Sequence, residues 1–251
     1  MKSLILILSH YINDNLIRSL KAQYKPDSEL TYVLLLDNVS SECFQTSEIL
    51  PEHVNCVSIY RNETTLSKNS YDRHDGGGHV MYMQYVHQNR KFVSEFNFVW
   101  CVENDVYFTG SMNEFIKEYD NDVSDVLATQ LINIDESWNW LSSLRGFDMK
   151  EVVLMQAWLM AARFKPFVLI HMASALGKDF DGFLEALMPN FCRRYDYSLS
   201  AIKHEHNSEV TVYANELCDK IATMIKQKNP DTMKSELNLK ENIILHPVKL
   251  I

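Results

Sequence analysis

Short hydrophobic runs alternate with amphipathic segments along the first 130 residues of the chain. Apolar runs without polar alternation are typical of strands that are buried on both faces, and apolar residues spaced three or four apart are typical of helices. The pattern predicts strands over Leu4–Leu8, Thr31–Leu36, Val54–Tyr60, Phe96–Val102 and Asp125–Leu131, and helical segments over Asn13–Tyr24, Val80–Asn89 and Met112–Tyr119. This order predicts an α/β fold with a doubly wound, mostly parallel sheet that is flanked by helices.

The second half of the chain has more helical and aromatic sequence. It predicts a strand over Gln156–Arg163, helices over Pro166–Leu176 and Gly182–Arg194, a helix end with a solvated connection over Lys226–Glu241, and a last strand over Asn242–Leu245. With 251 residues and 46% hydrophobic composition, the chain is long enough to form a substantial core.

Charge and cysteine content narrow the class of protein. A net charge of −9 argues against a nucleic-acid partner, which requires a basic surface, whereas a metal ion can supply local positive charge for a small phosphorylated ligand. Five scattered cysteines without a CxxC pair indicate reduced thiols in a cytoplasmic protein. The apolar run Leu4–Leu8 is too short for a signal peptide, and no run approaches the roughly 20 residues of a membrane span, so membrane contact would be peripheral, at the inner face.

Two carboxylates follow the predicted strand Phe96–Val102: Glu103 and Asp105, with Asn104 between them. Side chains two apart on an extended chain point to the same side, so the two acids converge if the strand continues through Asn104. A divalent cation such as Mg2+ or Mn2+ would satisfy both charges. Alternatively, the acids lie at a solvated strand end and cap the following segment, Ser111–Tyr119.

Other polar residues fall at the same predicted edge of the sheet. Ligands of open α/β sheets bind outside the carboxyl ends of the strands, and His10 and Asp37 follow two of these strands. No G-x-G-x-x-G or Walker sequence follows the first strand, which argues against a dinucleotide-binding Rossmann fold. The triplet Gly76–Gly78 is either a flexible loop over a ligand or a permissive turn before a helix.

Two tryptophans near the middle of the chain, Trp138 and Trp140, have two interpretations. Their flat rings suit the apolar face of a sugar, but tryptophans at such positions also serve as packing residues. The sequence leaves both interpretations open.

Several segments, in their order and spacing, resemble a known family: Trp100–Gly110, Ser124–Thr129 with Trp138–Trp140, Ala162–Ile170, Phe183–Pro189 and Leu245–Lys249. They are similar to segments of nucleotide-sugar-dependent glycosyltransferases of the GT-A fold, and the likeness covers most of the chain. The first segment resembles the acidic DxD motif, with Glu103 in place of the first aspartate. The resemblance implies one GT-A-like domain over residues 1–251, with a nucleotide-sugar-binding half over 1–132 and an acceptor-side half over 133–251.

The resemblance also implies an activity and a set of site residues. The donor would be a nucleoside-diphosphate sugar, and the acceptor a saccharide, a lipid-linked group or a protein. The implied ligands of Mn2+ or Mg2+ are Glu103, Asp105 and His246, and the implied contacts of the nucleotide sugar are His10, Asp37, Asn104 and Lys249. Without the resemblance, His246 would be read as a polar residue that is fixed by Pro247.

An inverting transfer requires a base for the acceptor hydroxyl. Glu185 is the first candidate and Asp181 the second, although both acids also fit an ordinary amphipathic helix with exposed carboxylates. The stereochemical outcome and the requirement for metal stay open. The alternatives are a nucleotidyltransferase acting on sugar phosphates, whose glycine-rich basic loop is absent from Ser9–Asp14, and a noncatalytic nucleotide-sugar-binding module.

Overall fold

The computed structural model describes residues 1–37, 44–59, 78–203, 206, 216–227 and 244–246. The strands are β1 (Ser3–Ser9), β2 (Ile12–Asn13), β3 (Leu30–Asp37), β4 (Phe44–Gln45), β5 (Val54–Ile59), β6 (Phe98–Glu103), β7 (Tyr107–Phe108), β8 (Val126–Ala128), β9 (Gln130–Asn133), β10 (Met155–Trp158), β11 (Ala161–Phe164), β12 (Leu199–Ala201) and β13 (Ile244–Leu245). The helices are α1 (Asp14–Gln23), α2 (Gly78–Gln88), α3 (Arg90–Val93), α4 (Met112–Glu118), a 3-10 helix (Asn139–Ser143), α5 (Pro166–Ala175), α6 (Leu184–Arg194) and α7 (Glu216–Lys226).

A seven-stranded sheet in the order β12-β8-β11-β6-β1-β3-β5 forms the centre of the fold. Its neighbouring strands are parallel except at β11, which is antiparallel to both β6 and β8. The predicted fold class, a mostly parallel sheet flanked by helices, is therefore confirmed. Strands from both halves of the sequence share this sheet.

The two faces of β1 show how the sequence produces this architecture. All seven residues of the strand are buried, and they alternate between two hydrophobic cores. Leu4, Leu6 and Leu8 belong to the core that includes residues of α2, α5 and α6, whereas Ile5 and Ile7 belong to the core that includes residues of α1 and α4. Because both faces are covered, the strand has no polar alternation.

Two segments that were each predicted as one continuous strand are interrupted in the structure. The predicted strand Asp125–Leu131 is divided into β8 and β9 at Thr129, and the predicted strand Gln156–Arg163 is divided into β10 and β11. The buried hydroxyl of Thr129 donates to the Ala161 carbonyl at 2.9 Å and accepts from the Ala161 amide at 3.0 Å. The Thr129 hydroxyl thus bonds the backbone groups that would pair in a continuous strand ladder. β9 and β10 form a separate two-stranded antiparallel ribbon.

The other predicted strands and helices are observed within the described residues, whereas β2, β4, α3, β7, the 3-10 helix and β12 were not predicted. The last helix ends at Lys226, and the predicted connection from residue 228 onward lies outside the described residues. The final strand is described at Ile244–Leu245 only, and of the glycine triplet only Gly78, the first residue of α2, is described. None of the helices in the described ranges is long and apolar enough to span a membrane.

Candidate functional site

The acidic pair lies on a tight turn directly after β6. The Glu103 amide donates to the Met160 carbonyl at 2.8 Å, the Asn104 amide to the Leu8 carbonyl at 3.0 Å, and the Val106 amide back to the Glu103 carbonyl at 3.1 Å. The strand ends at Glu103, so the two acids do not converge along an extended chain through Asn104, and this turn redirects the chain. The two carboxylates are instead brought together by the turn, at the carboxyl edge of the sheet.

The alternative role for the acids, as caps of the following helix, is also wrong. The N-cap of α4 is Ser111, whose hydroxyl accepts from the Glu114 amide at 3.3 Å. A serine at this position satisfies a helix-terminal amide without help from a carboxylate. Ser111, and not one of these acids, is therefore the N-cap residue of α4.

A short ladder from the far end of the chain brings His246 to this turn. β13 pairs antiparallel with β7, with Leu245 opposite Tyr107 and Ile244 opposite Phe108. Both β13 residues are buried, and on its other side β7 is anchored to α1 through the Phe108 amide, which donates to the Gln23 side-chain oxygen at 2.9 Å. The residue that follows β13 must therefore lie beside the acidic turn.

The imidazole of His246 contacts both carboxylates. Its Nε2 lies 3.3 Å from Glu103 Oε2 and 3.3 Å from Asp105 Oδ1. Burial lowers the pKa of His246, but the hydrogen bonds and charges of Asp105 and Glu103 outweigh burial and raise that pKa to about 10. The protonated ring supplies the positive charge that two half-buried carboxylates require.

The same three side chains have the arrangement of a metal site. One ligand atom from each of Glu103, Asp105 and His246 lies within 4.8 Å of the others. Two carboxylates suit a hard divalent cation, and an imidazole nitrogen is a common further ligand once the ring is neutral, so a cation bound here would replace the proton of His246. The chemistry of the donor set therefore fits a divalent cation, and we refer to these residues as the triad.

Tyr11 is a residue of this site that sequence reasoning missed. The Asn104 side-chain amide donates to the Tyr11 hydroxyl at 2.9 Å. Burial, and next the charge of Asp105, raise the pKa of Tyr11 to about 12, so its hydroxyl stays protonated at neutral pH. Tyr11 lies two residues after β1, beside His10 at the carboxyl edge of the predicted sheet. This position could have identified it from the sequence.

The other predicted nucleotide contacts are placed less completely. His10 is exposed at the end of β1, on the same edge of the sheet as the triad. Asp37 is the last residue of β3, so its backbone also lies at that edge, but its side chain is not described. Lys249 lies outside the described residues.

The two candidate bases occupy different surroundings. Glu185, in the first turn of α6, accepts a hydrogen bond of 2.6 Å from the Gln156 side-chain amide of β10. Asp181 pairs through its backbone with Arg145 and accepts from the Gly182 amide at 2.9 Å. Asp181 lines a cavity of about 510 Å3 whose lining, in the described part of the chain, does not include the triad. The structure thus brings together the triad and Asn104, whereas Asp181 borders a cavity that these residues do not line.

The tryptophan pair separates into two environments. The Trp140 ring stacks on Phe183, with ring centroids 4.4 Å apart and an interplanar angle of 23°. Trp138 meets the same Phe183 edge to face at 6.3 Å and also lines a cavity of about 770 Å3. The packing interpretation thus describes Trp140, whereas Trp138 packs against the hydrophobic core and also borders the cavity.

Comparisons with known proteins leave function to be inferred from the site. No family model matches the chain, and no curated protein matches it. Among solved structures, the chain is similar to the galactosyltransferase LgtC in complex with donor and acceptor sugar analogues. The alignment covers 98% of this chain and 87% of that one, at 11% identity and a TM-score of 0.44. Similarity at this level does not transfer an activity.

Proposed function

We propose that this protein is a metal-dependent glycosyltransferase that moves a sugar from a nucleoside-diphosphate sugar to an acceptor hydroxyl. The observation that carries the proposal is the triad: Glu103, Asp105 and His246 converge at the carboxyl edge of a mostly parallel sheet. Ligands of open α/β sheets bind at this edge, and a cation held there would face a bound diphosphate. The resemblance of the sequence to GT-A glycosyltransferases points the same way.

The chemistry of the reaction explains why such a site needs a cation. Breaking the bond between a sugar and a diphosphate places negative charge on the leaving group, and Mn2+ or Mg2+ supplies Lewis-acid stabilisation of that charge when it is bound. The triad would hold the ion, and the bond between Asn104 and Tyr11 holds the turn that carries Asp105. The donor set favours Mn2+ of the two, because Mg2+ prefers oxygen ligands throughout.

Glu185 is the proposed base for the acceptor hydroxyl, in an inverting transfer. Gln156 fixes its carboxylate by the 2.6 Å hydrogen bond, which limits the directions from which a hydroxyl can approach. Gln156 belongs to the β9–β10 ribbon, and two residues after that ribbon the Met160 carbonyl accepts from the Glu103 amide. Asp181 stays the second candidate. Glu185→Gln should retain donor binding and lose transfer; transfer at the parental rate would remove Glu185 from this role.

Calorimetric titration tests the proposed donor site. Uridine, guanosine, cytidine and adenosine diphosphates are each titrated with and without Mn2+ into the parent, Asp105→Asn and the exposed-site control Glu95→Gln. We expect one or more nucleotides to bind the parent and the control in the presence of Mn2+, and Asp105→Asn to lose at least tenfold in affinity. Equal binding by Asp105→Asn, or the failure of all four nucleotides to bind, would contradict the proposal.

Turnover assays separate this activity from its alternatives. A glycosyltransferase releases a nucleoside diphosphate from a nucleotide sugar, slowly by hydrolysis when acceptor is absent. A nucleotidyltransferase instead releases pyrophosphate from a nucleoside triphosphate and a sugar phosphate. A noncatalytic module binds the nucleotide sugar and releases neither product.

A further inference from the structure

A second candidate binding site lies on the connection between β9 and β10. Residues 134–154 of this connection border a groove of about 770 Å3, within the size range of small-ligand sites. Five apolar side chains line it: Trp138, Leu141, Met149, Val152 and Leu154. Met149 and Leu154 are 56% and 39% exposed, so apolar surface here faces solvent rather than the core.

The ribbon connects this groove to the triad. At the near end of the ribbon the Thr129 amide donates to the Trp158 carbonyl at 2.8 Å. Two residues after Trp158, the Met160 carbonyl accepts a hydrogen bond from the Glu103 amide of the triad. At the far end the Ile134 amide donates to the Leu154 carbonyl at 3.2 Å, where the groove begins. Four residues per strand span roughly 10 Å, so the groove begins about that distance beyond the near end of the ribbon.

One face of the ribbon offers polar and aromatic side chains between these two ends. Gln156 and Trp158 are two positions apart on β10, so their side chains point to the same side of the ribbon. Gln130 of β9 lies directly opposite Trp158. The Gln156 side-chain amide donates a hydrogen bond to the Glu185 carboxylate. Gln156 and Trp158 are half-buried, so each leaves only part of its side chain for a ligand beside the bond to Glu185 and the packing of Trp158 against the core.

The lining of the groove favours one class of ligand. Apolar side chains alternate there with polar ones, and the two ionisable residues, Glu136 and Lys150, have opposite charges. An anionic ligand would meet no excess of positive charge, and an acyl chain would meet too many polar groups. A neutral sugar chain has apolar ring faces that suit Trp138 and hydroxyls that suit polar neighbours such as Asn139.

We propose that this groove binds the distal residues of an oligosaccharide acceptor, whose end lies along the ribbon toward the triad. The proposal rests on the proposed glycosyltransferase function for its biological meaning, but binding in the groove requires neither the donor nor the metal. It narrows the acceptor from any hydroxyl compound to a sugar chain of more than one residue.

Direct binding of neutral sugars tests the groove. Cellohexaose, maltohexaose and chitohexaose are titrated into the metal-free protein, alongside glucose and N-acetylglucosamine. We expect at least one hexasaccharide to bind and the monosaccharides to bind at least tenfold more weakly. If none of the three hexasaccharides binds, or if the monosaccharide binds equally well, the proposal is overturned.

Matched variants locate the binding. Trp138→Ala should reduce hexasaccharide affinity at least tenfold, whereas Trp140→Ala, which removes the neighbouring ring that stacks on Phe183, should leave it within twofold. Met149→Asp changes an exposed side chain and tests the opposite wall without disturbing the core. Parental affinity in both Trp138→Ala and Met149→Asp would overturn the assignment.

The two proposals can fail separately. If nucleotide binding depends on Mn2+ and Asp105 while no hexasaccharide binds, the groove assignment alone is wrong. If a hexasaccharide binds through Trp138 while no nucleotide binds, the glycosyltransferase proposal is wrong and the groove remains a sugar-binding site.

Discussion

His246 Nε2 lies 3.3 Å from Asp105 Oδ1, although the two residues are far apart in the sequence. The contact depends on two backbone pairs, Leu245 with Tyr107 and Ile244 with Phe108. A site assembled in this way joins the turn that follows β6 to the last described strand. Metal binding should therefore require the C-terminal segment as well as the acidic turn.

Replacing His246 tests that requirement. His246→Ala should weaken Mn2+ binding at least tenfold, because one of three protein ligands is lost. Mn2+ affinity is measured by isothermal titration or by electron paramagnetic resonance of the free ion. His53→Gln, which changes a histidine that hydrogen-bonds the Tyr24 carbonyl, is the control. Parental Mn2+ affinity in His246→Ala would show that the imidazole is not a ligand.

The hydrogen bond between Asn104 and Tyr11 should hold the acidic turn in its binding geometry. Tyr11→Phe removes the acceptor and Asn104→Ala removes the donor, and each should lower Mn2+ affinity by about 1 kcal/mol, or about fivefold. If the bond is what matters, the double variant should be no weaker than either single variant. Additive losses would show that the two side chains act independently. A further loss of nucleotide affinity in Asn104→Ala alone would support the predicted contact with the donor.

Arg163 should be a major contributor to stability without a role in the site. Its fully buried guanidinium donates to the Ser124 carbonyl at 2.8 Å and to Asp122 at 2.9 Å, and it lies 4.2 Å from the centre of the Phe98 ring. Arg163→Ala should lower the free energy of unfolding by about 3 kcal/mol, because a cavity forms and buried acceptors lose their donor. Urea denaturation measures the change, with exposed Arg145→Ala as the control. A loss below about 1 kcal/mol in Arg163→Ala would contradict this assignment.

Asp125 should make stability depend on acid pH. Burial raises the pKa of Asp125, but hydrogen bonds from Lys165 and Ser198 outweigh burial and hold the pKa below its usual value. The unfolded chain then binds the proton more readily, so this contribution is complete above the unfolded pKa of about 4 and is lost as pH falls through the lower folded pKa.

The test compares unfolding free energies of the parent and Asp125→Asn between pH 6 and pH 3. The parent should lose stability more steeply with falling pH than Asp125→Asn does, whereas exposed Asp148→Asn should keep the parental slope. Equal slopes for the parent and Asp125→Asn would contradict the expected shift.

Much of the fold could be predicted because its determinants are local. The buried run Ser3–Ser9 and the acids that follow β6 are visible in sequence, since burial on both faces removes polar residues from a strand. The interruption at Thr129 could not be predicted, because a threonine in an apolar run is an ordinary strand residue until its hydroxyl meets Ala161. The geometry of the Asn104 turn was missed for a similar reason: its bonds go to Leu8 and Met160, which are remote in sequence.

The sequence by itself determined the central strands β1, β3, β5 and β6 and the position of two carboxylates at a strand end, because hydrophobic period and residue type act over a few positions. The tertiary structure decided which residues complete the site. Tyr11 reaches Asn104 because β1 and β6 are neighbours in the sheet, and His246 reaches Glu103 and Asp105 because β13 pairs with β7. Contacts between residues so far apart depend on the packing of the whole sheet.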